Sequence, residues 1–105
     1  MSKQEKIFRL IKNSVSITDP NAILIVYGSY ARGDNTETSD IDLLVLLEQD
    51  VVNRTDQKRI KYPLYDIEFS TGIIISPLVF SKKIWETVHC KTPFYENVTR
   101  EGKVL

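Results

Sequence analysis

Three short hydrophobic runs are separated by polar segments along the chain. Ala22 to Tyr27, Ile41 to Leu47 and Ile73 to Phe80 are largely apolar and rich in β-branched residues, a pattern that predicts strands of a buried sheet. Pro77 has no backbone donor, so the third strand is expected at an edge of the sheet or at a bulge. None of the runs approaches the ~20 apolar residues that a membrane-spanning helix requires, so we expect no membrane segment.

Helical signals surround these predicted strands. From Lys3 to Ser14, apolar residues recur every three or four positions and charged residues fall largely on the other face, which predicts an amphipathic helix. Lys82 to Cys90 follows a serine cap and is predicted to form a second helix. Thr92 and Pro93 are residue types preferred at a helix cap and at the first helical position, so a last helix is expected from there to Gly102.

The segment from Arg54 to Ser70 fits two interpretations. Apolar residues at helical spacing favour a helix, yet Pro63 is unfavourable inside one, and Asp66 to Phe69 alternates like a strand. We favour a helix that is kinked or restarts at Pro63. The order α-β-β-α-β-α-α then predicts a single domain of the α/β (α+β) class over residues 1–105, with a small mixed sheet flanked by helices.

The charge balance and the single cysteine argue against several kinds of site. Lysine plus arginine number 14 and aspartate plus glutamate also number 14, so no overall field favours nucleic acid, and its binding is not expected. Cys90 has no second cysteine for a disulfide or a zinc cage. Without a secretory signal after Met1, we expect a cytoplasmic protein. So short a chain has a slim margin of stability, which favours a homo-oligomer or a complex.

A glycine and a serine directly follow the first predicted strand. Gly28 lets the backbone bend and approach a ligand closely, with the next amides pointing outward. If Ser29 opens a helical turn, its hydroxyl and the free amides behind it would hydrogen-bond the terminal phosphates of a nucleoside triphosphate. Arg32 would add positive charge there, or would pair with Asp34 or Glu37 in the loop.

Two carboxylates open the second predicted strand. Asp40 and Asp42 are separated by one residue, and the two-residue period of a strand places both on the same face. Mg²⁺ binds through one or two carboxylates together with substrate phosphates, so this pair beside a phosphate-holding turn predicts a magnesium site. The chemistry expected there is in-line attack of a hydroxyl on the α-phosphate, with pyrophosphate leaving.

The segments Gly28 to Gly33 and Ser39 to Val45 closely resemble the signature of the minimal nucleotidyltransferases of the polymerase-β superfamily. In that family a Gly-Ser pair, ten intervening residues and an Asp-x-Asp define the site, a spacing that this chain matches. By this resemblance Ser29 corresponds to the triphosphate-binding serine, and Asp40 and Asp42 correspond to the metal-binding aspartates. The resemblance implies the polymerase-β-type fold and transfer of a nucleoside monophosphate, with AMP from ATP as the expected case.

A two-metal version of this chemistry usually needs a third carboxylate, which in the family normally lies on the strand after the intervening helix. If that strand is Ile73 to Phe80, it has no Asp or Glu. Either the segment Asp66-Ile67-Glu68 is itself that strand, or the site is incomplete and its activity is weak, altered or absent. Glu68 is preferred over Asp66 as the third catalytic residue.

The resemblance also implies a partner. Small proteins similar to this chain often pair with a helical protein of the HEPN class as antitoxin and toxin, and in some the transferase attaches AMP to a tyrosine of its partner. An Mg²⁺-dependent transferase acting on a hydroxyl of a protein or a small molecule is therefore expected. The alternative is an antitoxin with a degenerate nucleotide pocket that acts by contact alone, which a missing third carboxylate would favour.

Overall fold

The computed structural model describes all 105 residues, and its central element is a four-stranded sheet. In chain order the elements are α1 (Lys3–Thr18), β1 (Ile23–Tyr27), α2 (Ser29–Arg32), β2 (Ile41–Leu47), α3 (Arg54–Thr71), β3 (Ile75–Ser81), α4 (Lys82–Thr87), α5 (Pro93–Glu101) and β4 (Lys103–Val104). A 3₁₀ turn, His89–Lys91, lies between α4 and α5.

The strands lie in the order β3-β2-β1-β4. β1 and β2 are antiparallel neighbours, and their register places Tyr27 opposite Asp42. β2 and β3 are parallel, with α3 as the crossover between them, and their register places Asp42 beside Ser76. Pro77 therefore lies in an edge strand, as predicted. The end of β1 and the starts of β2 and β3 meet at one end of this mixed sheet.

Different helices cover the two faces of the sheet. Alternate strand residues such as Leu43 belong to the larger core, which includes buried residues of α1 and α3. The intervening residues, such as Leu44, pack with Trp85 of α4 and Val98 of α5. Successive side chains of a strand point to opposite faces. Asp42 therefore shares the face of Leu44, and its side chain lies on the side of the sheet that carries α4 and α5.

Caps fix the ends of the two long helices. The Ser2 hydroxyl accepts a hydrogen bond from the Glu5 N–H at 3.1 Å at the start of α1. Asn53 and Asp56 form a reciprocal capping box at the start of α3. Gly72 ends α3 in the left-handed conformation, at φ 75°. None of the helices has a stretch long and apolar enough to cross a lipid bilayer.

The segment with two interpretations is one uninterrupted helix, α3, which contains Pro63. The favoured helix is therefore confirmed, without a restart at that proline, and the interpretation of Asp66-Ile67-Glu68 as a strand is wrong. Ile60 and Leu64 are 1% and 0% exposed and anchor the helix on both sides of the proline. Their burial outweighs the local cost of the proline, which is about 3 kcal/mol in a helix interior.

Smaller differences concern element ends and one additional strand. α1 extends four residues past Ser14 to Thr18, and β3 begins at Ile75 rather than Ile73. The helix predicted to reach Cys90 ends at Thr87 and is followed by the 3₁₀ turn. The short strand β4 pairs antiparallel with β1, and it was not predicted.

Candidate active site

A glycine turn joins β1 to α2 at the end of the sheet where the three strands meet. Gly28 has φ 74° and ψ −153°, and a positive φ of this size is rarely adopted by residues with a side chain. A Cβ atom built at this position would overlap Oδ2 of Asp42. The glycine therefore both turns the chain and allows this carboxylate to lie directly against the turn.

Ser29 begins the single turn of α2. The Gly28 carbonyl accepts hydrogen bonds from the N–H groups of Ala31 and Arg32, at 3.1 and 3.0 Å, and these bonds close the turn. Gly33 ends it in the left-handed conformation, at φ 82°. The first amides of a helical turn have no partner within the helix. Together with the Ser29 hydroxyl, they form a set of donors suited to an anion.

Two aspartates lie next to this turn. Asp40 is exposed and directly precedes β2, whereas Asp42 is half-buried within the strand. Burial raises the pKa of the Asp42 carboxyl, and the negative charge of Asp40 raises it further. Arg32 lowers this pKa and Glu101 raises it, so the charges of these two residues also reach Asp42. The aspartate pair concentrates negative charge at the start of β2.

Tyr27 faces Asp42 across the antiparallel strand pair. Its ring packs edge-on against Phe94 of α5, with ring centroids 5.3 Å apart. Burial first, and the Asp42 charge second, raise the pKa of the Tyr27 phenol to about 12. The phenol is therefore neutral over the physiological pH range and can donate a hydrogen bond.

Arg32 is held between two carboxylates. Its Nε donates to Asp34 at 3.2 Å, and its Nη1 lies 3.3 Å from both carboxylate oxygens of Glu101. Oε1 of Glu101 also accepts the Gly28 N–H at 3.1 Å. Hydrogen bonds to Asp34, and then to Glu101, raise the pKa of Arg32 above its ordinary value. The predicted pairing with Asp34 is confirmed, but the second partner is Glu101 rather than Glu37.

The strand beside Asp42 supplies a hydroxyl instead of a third carboxylate. Ser76 is the register partner of Asp42 on β3, and a side chain there lies on the same face of the sheet. Glu68 lies on α3, where its Oε1 accepts the N–H of Ile75 at 2.8 Å. Asp66, on the same helix, is exposed. The structure therefore does not bring Glu68 together with Asp40 and Asp42, because its helix packs on the opposite face and its carboxylate caps the start of β3.

The donor set fits a hard divalent cation only in part. Asp40 and Asp42 are oxygen ligands of the kind that Mg²⁺ prefers, and the missing side chain of Gly28 lets the Asp42 carboxylate lie against the glycine turn. No three His, Cys, Asp or Glu side chains lie close enough together to enclose a metal ion. Mg²⁺ commonly completes its coordination with water and phosphate oxygens. A cation here would therefore need further ligands from a bound phosphate compound.

Glu101 was not predicted from the sequence. It is 73 positions away from Gly28, whose amide it binds, and only the packing of α5 against the sheet brings the two together. The signal that could have indicated this approach is Gly102. A Cβ at that position would lie 2.8 Å from Cγ2 of Ile25 in β1, so a glycine is needed for the end of α5 to lie this close to the strand.

Known proteins resemble this chain in sequence and in fold. Residues 8–102 match the family model of the nucleotidyltransferase domain. Two Methanocaldococcus jannaschii proteins named as protein adenylyltransferases are 38% and 35% identical to this chain over 80 and 85 residues, covering 75% and 78% of this chain and 73% and 75% of theirs. The crystal structure of a toxin–antitoxin with AMP-PNP has a similar fold, with a TM-score of 0.58 and 19% identity over 98% of this chain and 72% of that one.

The matched residues contain the glycine turn and both aspartates, and the expected nucleotidyltransferase fold is confirmed. The match extends over most of the chain rather than over the motif alone. The chain therefore belongs to the nucleotidyltransferase domain family.

Proposed function

We propose that this domain is an Mg²⁺-dependent adenylyltransferase that transfers AMP from ATP to a hydroxyl group of a partner protein. The observation that carries the proposal is that the backbone of Gly28 lies directly against the Asp42 carboxylate, whose Oδ2 would overlap any side chain at position 28. Groups suited to phosphate oxygens and groups suited to a divalent cation thus lie together. The family of the chain and the names of its M. jannaschii relatives support the same activity.

Each residue near the turn has a proposed role. Ser29 and the start of α2 would bind the terminal phosphates, with Gly28 allowing their close approach. Arg32 would contribute positive charge to the triphosphate, and Asp40 and Asp42 would hold the cation. When bound, Mg²⁺ would stabilise the negative charge that develops on the transferring group.

The proposed reaction is a single displacement at the α-phosphorus. The oxygen of the acceptor hydroxyl attacks in line with the leaving group, forming a new O–P bond. The bond from the α-phosphorus to the oxygen that bridges it to the β-phosphate breaks, and pyrophosphate leaves with that electron pair. The hydroxyl proton passes to water, since no third carboxylate joins Asp40 and Asp42. Transfer is expected to be slower than at a site with a dedicated base.

We propose a protein hydroxyl, such as that of a tyrosine, as the acceptor, and a helical protein of the HEPN class as the partner. The relatives named as protein adenylyltransferases support a protein acceptor, and the neighbouring toxin–antitoxin structure with AMP-PNP supports a partner protein. The HEPN class follows from the resemblance of the sequence motif alone. A small-molecule hydroxyl is the other class of acceptor. The two classes differ in whether the transferred label becomes attached to protein.

The experiment compares ATP labelled at the α-phosphate with ATP labelled at the γ-phosphate. Each is incubated with Mg²⁺, this protein and the protein encoded beside it. Nucleotidyl transfer predicts labelling of the second protein from α-labelled ATP alone, and no labelling when Asp42→Asn replaces the wild type. Labelling from the γ-phosphate would show a phosphoryl transfer instead and would refute the proposal.

A second candidate function rests on the residue beside Asp42. Because β3 offers Ser76 there instead of a carboxylate, the chain fits an antitoxin that binds its partner by contact alone. The double variant Asp40→Asn/Asp42→Asn separates the two functions. An enzyme loses its effect on the partner, whereas a contact-only antitoxin still neutralises it.

A further inference from the structure

Glu101 occupies groups that would otherwise be free to bind an anion. Its Oε1 accepts the Gly28 N–H at 3.1 Å, and both of its carboxylate oxygens lie 3.3 Å from Nη1 of Arg32. The side chain is only 18% exposed, whereas that of Arg32 is 47% exposed. A phosphate oxygen that uses the same donors would therefore have to replace the Glu101 carboxylate.

The charges around the turn are unfavourable for a bare triphosphate. The charged groups that act on Asp42 are Asp40, Arg32 and Glu101, and Arg32 is the only cation among them. Arg32 itself is already paired, with Asp34 on one side and Glu101 on the other. A polyanion approaching this region meets four carboxylates, those of Asp34, Asp40, Asp42 and Glu101, and a guanidinium whose charge is largely neutralised.

We propose that Glu101 is a specificity-determining residue that restricts the glycine turn to a triphosphate bound to a divalent cation. The inference rests on the proposed function, because it assumes that the turn binds ATP. Glu101 acts as an internal anion at the Gly28 amide and Arg32, and it repels free ATP. A triphosphate that arrives with Mg²⁺ has less net negative charge and gains the attraction of Asp40 and Asp42.

The effect of the Glu101 charge on ATP binding can be tested without removing the hydrogen bond that Glu101 makes to the turn. Glutamine has the same shape and keeps an amide oxygen that can accept the Gly28 N–H, so Glu101→Gln removes the charge without removing that hydrogen bond. Glu96 provides a matched control, because it lies on the same helix, α5, and is exposed. Glu96→Gln makes the same change of net charge away from the turn.

The test is calorimetric binding of ATP to wild type, Glu101→Gln and Glu96→Gln, each with excess Mg²⁺ and with EDTA. Wild type is expected to bind ATP with Mg²⁺ and at least tenfold more weakly with EDTA. Glu101→Gln is expected to gain about tenfold in affinity for ATP in EDTA, the size of one close charge pair at a protein surface. Glu96→Gln should match the wild type in both conditions.

Two results would overturn the inference. If Glu101→Gln binds ATP in EDTA no more tightly than the wild type, Glu101 does not compete with the triphosphate. If the wild type fails to bind ATP even with Mg²⁺, the proposed function fails with it. Should Glu101→Gln not fold, Glu101→Asp keeps the charge but shortens its reach by one methylene. That variant should show a smaller gain in EDTA, and no gain would also overturn the inference.

Discussion

The backbone of Gly28 lies against the carboxylate of Asp42 so closely that a methyl group at position 28 would overlap Oδ2. Gly28 directly follows β1 and Asp42 lies near the start of β2, its antiparallel neighbour. A glycine is therefore needed at the turn for two independent reasons. One is its positive φ, and the other is the space that the carboxylate needs.

Gly28→Ala should abolish nucleotide binding and destabilise the domain. The φ of 74° costs a residue with a side chain on the order of 1 kcal/mol, and the overlap with Asp42 adds to this cost. We expect the free energy of unfolding to fall by about 2 kcal/mol or more, measured by urea denaturation, with loss of ATP binding by calorimetry.

Gly72→Ala is the matched control for that variant. Gly72 also has a positive φ, 75°, but nothing lies within 4 Å of a Cβ built there. It lies at the end of α3 and is not part of the glycine turn of the site. The free energy of unfolding of Gly72→Ala should fall by about 1 kcal/mol, without loss of ATP binding. Equal losses of ATP binding in the two variants would contradict the role of the space beside Asp42.

Asp42→Asn should raise the melting temperature while it removes transfer activity. Burial raises the pKa of this carboxyl, and the charge of Asp40 raises it further, so ionising Asp42 is less favourable in the folded chain than in the unfolded one. Its contribution to stability is present below the unfolded pKa and is lost as pH rises through the raised folded pKa. At pH ~7 the ionised side chain therefore destabilises the fold.

The measurement for this prediction is thermal unfolding of wild type and Asp42→Asn across a range of pH. The variant should melt a few degrees higher at neutral pH, and the gap should narrow as the pH falls through the raised pKa of Asp42, because the wild-type carboxyl then becomes protonated. A variant that melts lower than the wild type at neutral pH would show that the ionised carboxylate stabilises the fold.

The Gly-Ser turn and the aspartate pair could be predicted because their contact is local in the sheet. Fourteen positions separate Gly28 from Asp42, and two adjacent antiparallel strands bring them together. The apolar runs of the strands follow from burial on both faces of the sheet, and the helical periodicity of α1 follows from burial on one face. These features depend on neighbouring parts of the chain, which a sequence pattern describes well.

The rest of the site depends on packing between distant segments. Glu101 reaches Gly28 only because α5 packs on the sheet and Gly102 allows its end to approach β1. The interpretation of residues 66–68 as a strand was wrong because they alternate like one, whereas the burial of Ile60 and Leu64 keeps α3 helical through Pro63. Neither outcome can be read from local preferences, because tertiary contacts decide both.

Ser76→Asp should strengthen binding of a divalent cation. The new carboxylate would lie beside Asp42 on the same face, giving three acidic side chains at the end of the sheet. We expect at least about fivefold tighter binding of Mn²⁺ in the presence of ATP, measured by calorimetry, and lower stability in the absence of metal, since like charges are brought together.

Ser70→Asp makes the same substitution at an exposed position near the end of α3 and serves as the control. It should leave Mn²⁺ binding unchanged. If Ser76→Asp binds Mn²⁺ no better than this control, the space beside Asp42 does not accept a third ligand from β3.

The most direct test of the central claim is the intact mass of the protein encoded beside this one, after incubation with Mg²⁺, ATP and this domain. With the wild type, we expect the mass of the partner protein to increase by one or more AMP groups. With Asp40→Asn/Asp42→Asn we expect no increase, although that variant should remain folded. An unmodified partner, found under conditions where calorimetry shows that the wild type binds both ATP and the partner, would contradict the account.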